Sequence, residues 1–124
     1  MSSTLQIAIS QKTGNVPVTV LHLTGELDAN TQTQLETAAN EVIDGGAEHL
    51  LLEMSKTSYI GSAGLRTIHA ITNKLNKEEN KNAIKSDNLK VVNPSDEVRK
   101  IFHTLGFDTY IEIIDDLDTA VSSF

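Results

Sequence analysis

A nonpolar run that ends in a glycine-bracketed serine defines the centre of this chain. Residues 49–54 are largely nonpolar and indicate a buried strand, and Ile68, Ile71 and Leu75 then recur at helical spacing. Residues 57–65 lie between these two patterns. The sequence therefore predicts a strand and a helix joined by a turn at residues 57–65.

Ser62 lies in this turn between Gly61 and Gly64, with the small Ala63 beside it. Little side-chain bulk screens its hydroxyl, and the first backbone N–H groups of a helix lack intrahelical partners. These N–H groups and the positive end of the helix dipole favour an anion, including a phosphate carried by the serine itself. Ser62 is therefore a candidate switch, although most serines at such a place only cap the helix.

Two enzyme motifs fail at this turn because their spacing is wrong. A P-loop requires lysine and then serine or threonine after its last glycine, whereas Leu65 and Arg66 follow Gly64. A nucleophile elbow requires one residue between each glycine and the serine, whereas Ser62 directly follows Gly61.

The amino-terminal part of the chain predicts a hairpin. Leu5, Ile7 and Ile9 alternate with polar residues, residues 11–15 contain turn formers, and residues 18–24 are nonpolar or β-branched. A helix should follow, stopped by glycines at positions 45 and 46. Its nonpolar face comprises Leu35, Ala38, Ala39, Val42 and Ile43.

The helix after the serine turn should cover residues 63–76. From residue 73 to residue 88 the chain is polar, and its lysines at positions 77, 81 and 85 could form a basic helix face. A solvated helix end and a flexible loop explain this composition better. The loop at residues 77–88 is also a candidate specificity feature.

The carboxyl-terminal part predicts two more strands and two helices. Strands are expected at residues 89–92 and 110–114, and an amphipathic helix between them. Asn93 should cap that helix, with Pro94 at its first position. Its inward positions are Val98, Ile101, Phe102 and Leu105, and Gly106 should end it. The acidic residues at 115–118 should begin a short final helix.

Composition bounds the function. With 124 residues and a formal net charge of −7, the chain suits one domain that does not bind nucleic acid, because phosphate binding requires clustered cations. It contains no cysteine, and no stretch is nonpolar enough to insert into a membrane or direct export, so a cytoplasmic location is expected. No metal or other cofactor is expected, since the histidines are far apart in sequence. They are His22, His49, His69 and His103.

A hairpin followed by strand–helix–strand units predicts an α/β fold. Its sheet should be mostly parallel with an antiparallel amino-terminal edge, and about four helices should pack on it. Function gathers at the carboxyl ends of parallel strands. Residues 26–30 and 61–64 both lie at such ends, so they should share one surface. Glu26 and Asp28 could also be considered an acid/base pair, but no second catalytic set accompanies them.

Residues 23–28 and 59–65 resemble the two signature segments of STAS domains. Residues 93–107 resemble the closing section of these domains, so the resemblance covers about the whole chain, residues 1–124. The branch most similar to it is the stand-alone bacterial anti-sigma factor antagonists, which implies the STAS fold.

The resemblance also implies a function without catalysis by this chain. An unphosphorylated antagonist binds an anti-sigma factor, which then releases its sigma factor. That partner is usually a serine kinase, which would phosphorylate Ser62, and a serine phosphatase would restore the binding form. The implied partner-binding residues surround the serine: Asp28, Asn30, Thr31, Gly61, Ala63, Gly64, Leu65 and Arg66.

One position departs from the family pattern. Family members commonly have aspartate just before the acceptor serine, where this chain has Gly61. Either the cognate kinase differs or phosphorylation is slow or absent. Asp28 matches the acidic residue at the start of the first helix, where it could orient Ser62 or only stabilise the turn.

Two alternatives remain. The chain could be a STAS subunit of another assembly, such as a lipid-transport ATPase complex, in which the serine needs no kinase. It could also be an enzyme or nucleotide-binding protein that holds a small phosphate ligand at the helix start, although the turn lacks lysine.

Overall fold

The two alternating segments at the amino end pair as a long antiparallel hairpin. β1 (Leu5–Thr13) and β2 (Pro17–Leu27) pair from Leu5 opposite Gly25 to Thr13 opposite Pro17. The expected hairpin is confirmed, but its turn is shorter than the 11–15 expected from the sequence. Residues 11–13 remain paired with β2, opposite Thr19, Val18 and Pro17, so the turn is confined to the residues between Thr13 and Pro17.

The computed structural model describes residues 4–75 and 88–124. After the hairpin come α1 (Gln32–Asp44), β3 (Leu50–Ile60), α2 (Ser62–Leu75), β4 (Leu89–Val92), α3 (Asp96–Thr104), β5 (Glu112–Ile114) and α4 (Leu117–Ser122). The end expected for α2 at residue 76 and the expected loop at 77–88, apart from Asn88, lie outside the described residues.

The five strands form one sheet in which spatial order follows sequence order, β1-β2-β3-β4-β5. Only the β1–β2 pair is antiparallel; β2–β3, β3–β4 and β4–β5 are parallel. This arrangement confirms the expected fold class, a mostly parallel sheet with an antiparallel amino-terminal edge and, within the described residues, four helices.

Both faces of the sheet are covered, as parallel strands require. The larger core packs strand residues against α1, α2 and α3; its fully buried members include Leu21, Leu23, Leu52, Met54, Leu35, Ile68 and Phe102. A smaller core lies beneath α4 on the other face and comprises Val18, Val20, Leu51, Val92, Ala120 and Val121. No helix within the described ranges is long and nonpolar enough to cross a membrane.

Three local expectations near α3 are wrong: Asn93 is not the cap, Pro94 is not the first helical position because α3 begins at Asp96, and Leu105 does not face inward. Ser95, not Asn93, caps the helix, and its side chain accepts a hydrogen bond from the Val98 amide. Asn93 instead has a φ of 51°, so its backbone cannot act as the expected cap. Leu105 is 61 % exposed because α3 ends at Thr104, and Gly106 follows in the left-handed conformation.

The last strand is shorter than residues 110–114. A 3-10 turn, Phe107–Thr109, precedes it, and β5 contains only Glu112–Ile114. Ile111 is buried, whereas Tyr110 is 55 % exposed with its ring edge against His69. The acidic start expected for α4 is confirmed, since Asp116 caps it through the Thr119 amide.

Candidate functional site

The connection between β3 and α2 is a single residue. β3 extends to Ile60, which pairs with Leu27 at the end of β2, and α2 begins at Ser62. The intervening Gly61 donates its N–H to the Leu27 carbonyl at 2.9 Å. Residues 57–60, expected in a turn, are therefore strand, and the serine follows the sheet edge directly.

Gly64 lets α2 start close to the sheet. A Cβ atom at this position would lie 2.7 Å from Leu27 Cγ and 3.0 Å from the Leu27 carbonyl oxygen. These separations are shorter than van der Waals contact, so a larger residue would push the helix away from β2. The glycine thereby fixes where the first turn of α2 lies.

Ser62 is exposed at the first helical position of α2. Gly61 occupies the cap position, because its carbonyl accepts the first helical hydrogen bond, from Leu65 N at 3.1 Å. Among the described residues, nothing forms a hydrogen bond with the Ser62 hydroxyl. The geometry therefore does not support the capping alternative and leaves the hydroxyl accessible.

The backbone around the serine is suited to negative charge. The N–H groups of Ser62, Ala63 and Gly64 donate to no acceptor in the described part of the chain. The first N–H groups of a helix carry partial positive charge, which favours an anion there. The first turn of α2 contains no acidic residue that would compete for this position.

The neighbouring turn between β2 and α1 is held by its own hydrogen bonds. Asp28 Oδ1 accepts from the Asn30 amide at 2.9 Å. The Thr31 hydroxyl donates to the Glu26 carbonyl at 2.7 Å and accepts from the Asp28 amide at 3.0 Å. Asp28 and Thr31 thus form a fixed support from which Asn30 projects, exposed, into solvent.

Hydrogen bonds between elements bring three helix starts to one edge of the sheet. The Thr67 hydroxyl of α2 donates to Gln32 Oε1 at the start of α1, at 2.8 Å. The Ser95 hydroxyl at the cap of α3 donates to the Thr57 carbonyl of β3 at 2.5 Å. The two turns expected to share a surface are therefore neighbours at the carboxyl ends of the strands.

The candidate residues divide by exposure. Ser62, Asn30 and Arg66 are exposed, and Asp28, Gly61 and Ala63 are half-buried. Thr31, Gly64 and Leu65 are buried, so they can shape this surface but cannot provide much of its contact area. Arg66 lies one helical turn after Ser62 and forms no ion pair with any described residue.

Tyr59 is an additional residue at this surface, outside the set chosen from the sequence. Its side chain is 47 % exposed at the end of β3. A Cβ at Gly61 would lie 3.2 Å from Tyr59 Cε2 and 3.3 Å from its hydroxyl oxygen, so the ring lies against the glycine. The available signal is the tyrosine itself, three positions before Ser62, because aromatic residues are enriched at interfaces.

The remaining polar side chains form no comparable site. Within residues 4–75 and 88–124, no group of three or more histidine, aspartate or glutamate side chains could hold a metal ion. The histidines lie in separate places: His22 bonds Ser10, His49 packs on Phe124, His69 meets Tyr110 and His103 bonds Asp108. A cleft of about 500 Å³ lined by Val16, Pro17 and His49 lies at the opposite ends of β2 and β3 from Ser62.

Comparisons with known proteins agree with this architecture. The STAS domain model matches residues 8–120. The anti-sigma-F factor antagonist RsfB of Mycobacterium tuberculosis is 28 % identical over 105 residues, which cover 85 % of this chain and 80 % of RsfB.

Solved structures show the same fold. An anti-sigma factor antagonist from Mycobacterium paratuberculosis superposes with a TM-score of 0.79 at 25 % identity, covering 97 % of this chain and 93 % of the other. The anti-sigma factor antagonist SpoIIAA in its unphosphorylated form gives a TM-score of 0.68 at 19 % identity, covering 95 % of this chain and 93 % of the other.

Proposed function

The chain belongs to the STAS domain family, and on this premise we propose that residues 1–124 act as one domain, an anti-sigma factor antagonist. In its unphosphorylated form it binds an anti-sigma factor that is also a serine kinase, and this releases a sigma factor in the cytoplasm. Phosphorylation of Ser62 ends the binding, and a serine phosphatase restores it. The chain itself performs no catalysis.

The observation that carries this proposal is the exposed hydroxyl of Ser62 at the start of α2, which forms no hydrogen bond with any residue that the structure describes. A kinase requires an accessible nucleophilic oxygen, and a switch requires that its modification alter the contact surface. Ser62 supports both requirements. The relatives of this chain support an anti-sigma factor as the partner, since RsfB and the Mycobacterium paratuberculosis protein are both named as anti-sigma factor antagonists.

A phosphate at Ser62 would be compatible with the fold of this chain but would weaken the binding of a partner. It adds about −1.5 to −2 charges at neutral pH. The N–H groups of Ser62 and Ala63, which have no acceptor among the described residues, favour that charge. Arg66, four residues later on the same helix face, can pair with it. A partner pressed against this surface would instead have to desolvate the phosphate. Each 1.4 kcal/mol of this penalty weakens binding about tenfold, so a few kcal/mol suffices for a switch.

The glycine at position 61 changes the surface offered to the kinase. It does not adopt a left-handed φ, so its backbone would accept the aspartate common in the family. The Tyr59 ring lies against it, and that ring occupies space an aspartate side chain would need. We propose that the cognate kinase contacts Tyr59 at the place where the kinases of other family members meet the aspartate before the acceptor serine.

The test combines phosphorylation with binding. The chain is incubated with the candidate anti-sigma factor kinase and ATP, and the site is located by mass spectrometry. Ser62→Ala should abolish incorporation, whereas Ser58→Ala, an exposed serine nearby on β3, should retain it. The unmodified chain should bind the kinase at least about a hundredfold more tightly than the phosphorylated chain.

Three results would overturn the proposal. Phosphate on another residue, or none with a kinase that binds the chain, would remove Ser62 as the switch. Equal affinity before and after modification would favour a STAS subunit of another assembly, such as a lipid-transport ATPase complex. Nucleotide hydrolysis by the isolated chain would favour the enzyme alternative.

A further inference from the structure

β1 is the outermost strand of the sheet, and its register shows which of its backbone groups are unused. Glu26 N donates to the Thr4 carbonyl, so Thr4 and Glu26 form a hydrogen-bonded pair. Every second residue pair of the β1–β2 ladder, counted from this one, also exchanges backbone hydrogen bonds. These are the even-numbered residues of β1. The N–H and C=O groups of its odd-numbered residues therefore point away from β2, along the free edge.

Most of these outward groups have no partner in residues 4–75 and 88–124. The Leu5 carbonyl accepts from the Gln34 side chain of α1 at 3.0 Å, which blocks that end of the edge. The outward backbone groups of Ile7, Ile9 and Gln11 form no hydrogen bond with any described residue. Ile9, at the middle of β1, is also 48 % exposed. An exposed edge of this kind can accept another strand.

We propose that two copies of this chain dimerise by antiparallel pairing of their β1 strands, with the two-fold axis at Ile9. Ile9 would face Ile9 of the second copy, and Ile7 would face Gln11 of the second copy on either side. These three pairs would use every outward N–H and C=O group of Ile7, Ile9 and Gln11, giving six new backbone hydrogen bonds. The two five-stranded sheets would become one continuous sheet.

The side chains favour a second copy over an unrelated peptide. Ile9 against its symmetry mate would cover the exposed nonpolar surface at the centre of the edge. Lys12 is the only charged residue of β1, and the two-fold places it opposite Gln6 of the second copy rather than opposite another lysine. Glu26 of the second copy lies on the same sheet face, with roughly 12 Å between Cα atoms from strand spacing, within reach of two long side chains.

The dimer should be weak and sensitive to salt. One strand pairing buries a small interface, for which dissociation constants on the order of micromolar or weaker are typical. Each copy carries a formal net charge of −7, so the two copies repel each other at a distance. Added salt screens this repulsion and should strengthen dimerisation.

The dimer does not depend on the proposed switch. Ser62 lies beyond the carboxyl end of β3, two strands in from the paired edge, so both serines remain accessible. Failure of the dimer would therefore leave the antagonist proposal intact, and the reverse also holds.

Disulfide trapping tests the two-fold arrangement directly, because the chain contains no cysteine of its own. In a hydrogen-bonded antiparallel pair the Cα atoms are about 5.5 Å apart, within the range for a disulfide. Ile9→Cys should form a covalent dimer under mild oxidation. Leu105→Cys, exposed on another part of the surface, is the matched control and should remain largely monomeric. Equal crosslinking of the two variants, or none in Ile9→Cys, would overturn the proposal.

Sedimentation of the full chain over a concentration series gives an independent measure. Wild type should shift from monomer to dimer, and Ile9→Lys should weaken dimerisation at least about tenfold, because two like charges would meet at the axis. Leu105→Lys should dimerise like wild type. Circular dichroism checks that both variants are folded. A monomeric wild type up to about 100 μM, above typical weak dimer constants, or a dimer indifferent to Ile9→Lys, would refute this interface.

Discussion

Position 64 shows how a single hydrogen atom in place of a side chain shapes the candidate site. In an ordinary helix, alanine in place of glycine stabilises by up to about 1 kcal/mol. At Gly64 that gain is opposed by contact with the Leu27 side chain and carbonyl, at 2.7 and 3.0 Å from the new Cβ. The contact is partly with backbone, which cannot move without displacing the end of β2.

We therefore expect Gly64→Ala to lower the free energy of unfolding by about 1–3 kcal/mol, as overpacked sites do. Gly61→Ala is the control, because its Cβ would meet only the ring of the exposed Tyr59, which can rotate away. Urea denaturation of both variants measures the difference. Equal midpoints for the two variants would contradict the close approach of α2 to β2.

Tyr59 is the exposed aromatic residue nearest the serine, and aromatic residues often dominate protein interfaces. Because its side chain is half in solvent, Tyr59→Ala should leave the unfolding free energy within about 0.5 kcal/mol of wild type. Affinity for the anti-sigma factor should fall at least about tenfold, or 1.4 kcal/mol.

Tyr110→Ala is the matched control for this experiment, since Tyr110 is 55 % exposed and lies beside Phe107 of the 3-10 turn rather than beside Gly61. Calorimetric titration of each variant with the partner separates the two surfaces. If both substitutions weakened binding alike, Tyr59 would have no special place in the contact.

At the level of elements, local patterns located the strands and helices, but tertiary pairing set their ends. Residues 57–60 contain two serine or threonine hydroxyls and suggested a turn, yet they continue β3 because β2 extends beside them to Leu27. The Thr57 hydroxyl donates to the Leu23 carbonyl at 2.8 Å, a long-range bond that no local pattern reveals. The cap of α3 depended in the same way on Ser95 reaching β3.

The cap of α4 makes one element sensitive to acid. The Thr119 amide, and then the Thr119 hydroxyl, donate to Asp116 and hold the pKa of its carboxyl below the usual value. A depressed pKa in the folded state contributes stability above the unfolded pKa, and this contribution is lost as pH falls through the folded pKa. As the pH falls from about 5 to about 2, the stability of the wild type should therefore decrease more than that of a variant with an uncharged capping residue.

Asp116→Asn retains a good capping residue and should flatten this part of the pH profile. Asp118→Asn removes the same charge from the first turn of α4 without removing the cap bonds to Thr119, so it should keep the wild-type slope there. Thermal unfolding midpoints over this range provide the measurement. A slope unchanged in Asp116→Asn would show that other groups cause the acid sensitivity.

At the scale of the whole molecule, the connections between strands and helices predict the position of the candidate site without reference to any side chain. In a parallel sheet, the helix that follows each strand starts at the carboxyl end of that strand. Hydrogen bonds from Thr67 and Ser95 link the starts of α1, α2 and α3 at this end of the sheet. What topology could not predict is that Gly61 takes the cap position and leaves the Ser62 hydroxyl without a hydrogen bond to the described part of the chain. That outcome depends on β3 ending one residue before the helix.

Placing the switch at a helix start separates its effect on binding from its effect on folding. A negative charge at the start of α2 should stabilise the fold by about 0.3–1 kcal/mol through the helix dipole, while it should weaken partner binding at least a hundredfold. We therefore expect Ser62→Asp and the Ser62-phosphorylated chain to unfold at or above the wild-type temperature.

Thr104→Asp is the control, because it adds the same charge at the exposed carboxyl end of α3, where the helix dipole disfavours it. It should lower the unfolding temperature but leave partner affinity unchanged. Differential scanning calorimetry paired with partner titration distinguishes these effects. If phosphorylated chain lost both stability and binding, the switch would act by unfolding the first turn of α2 rather than by changing an intact surface.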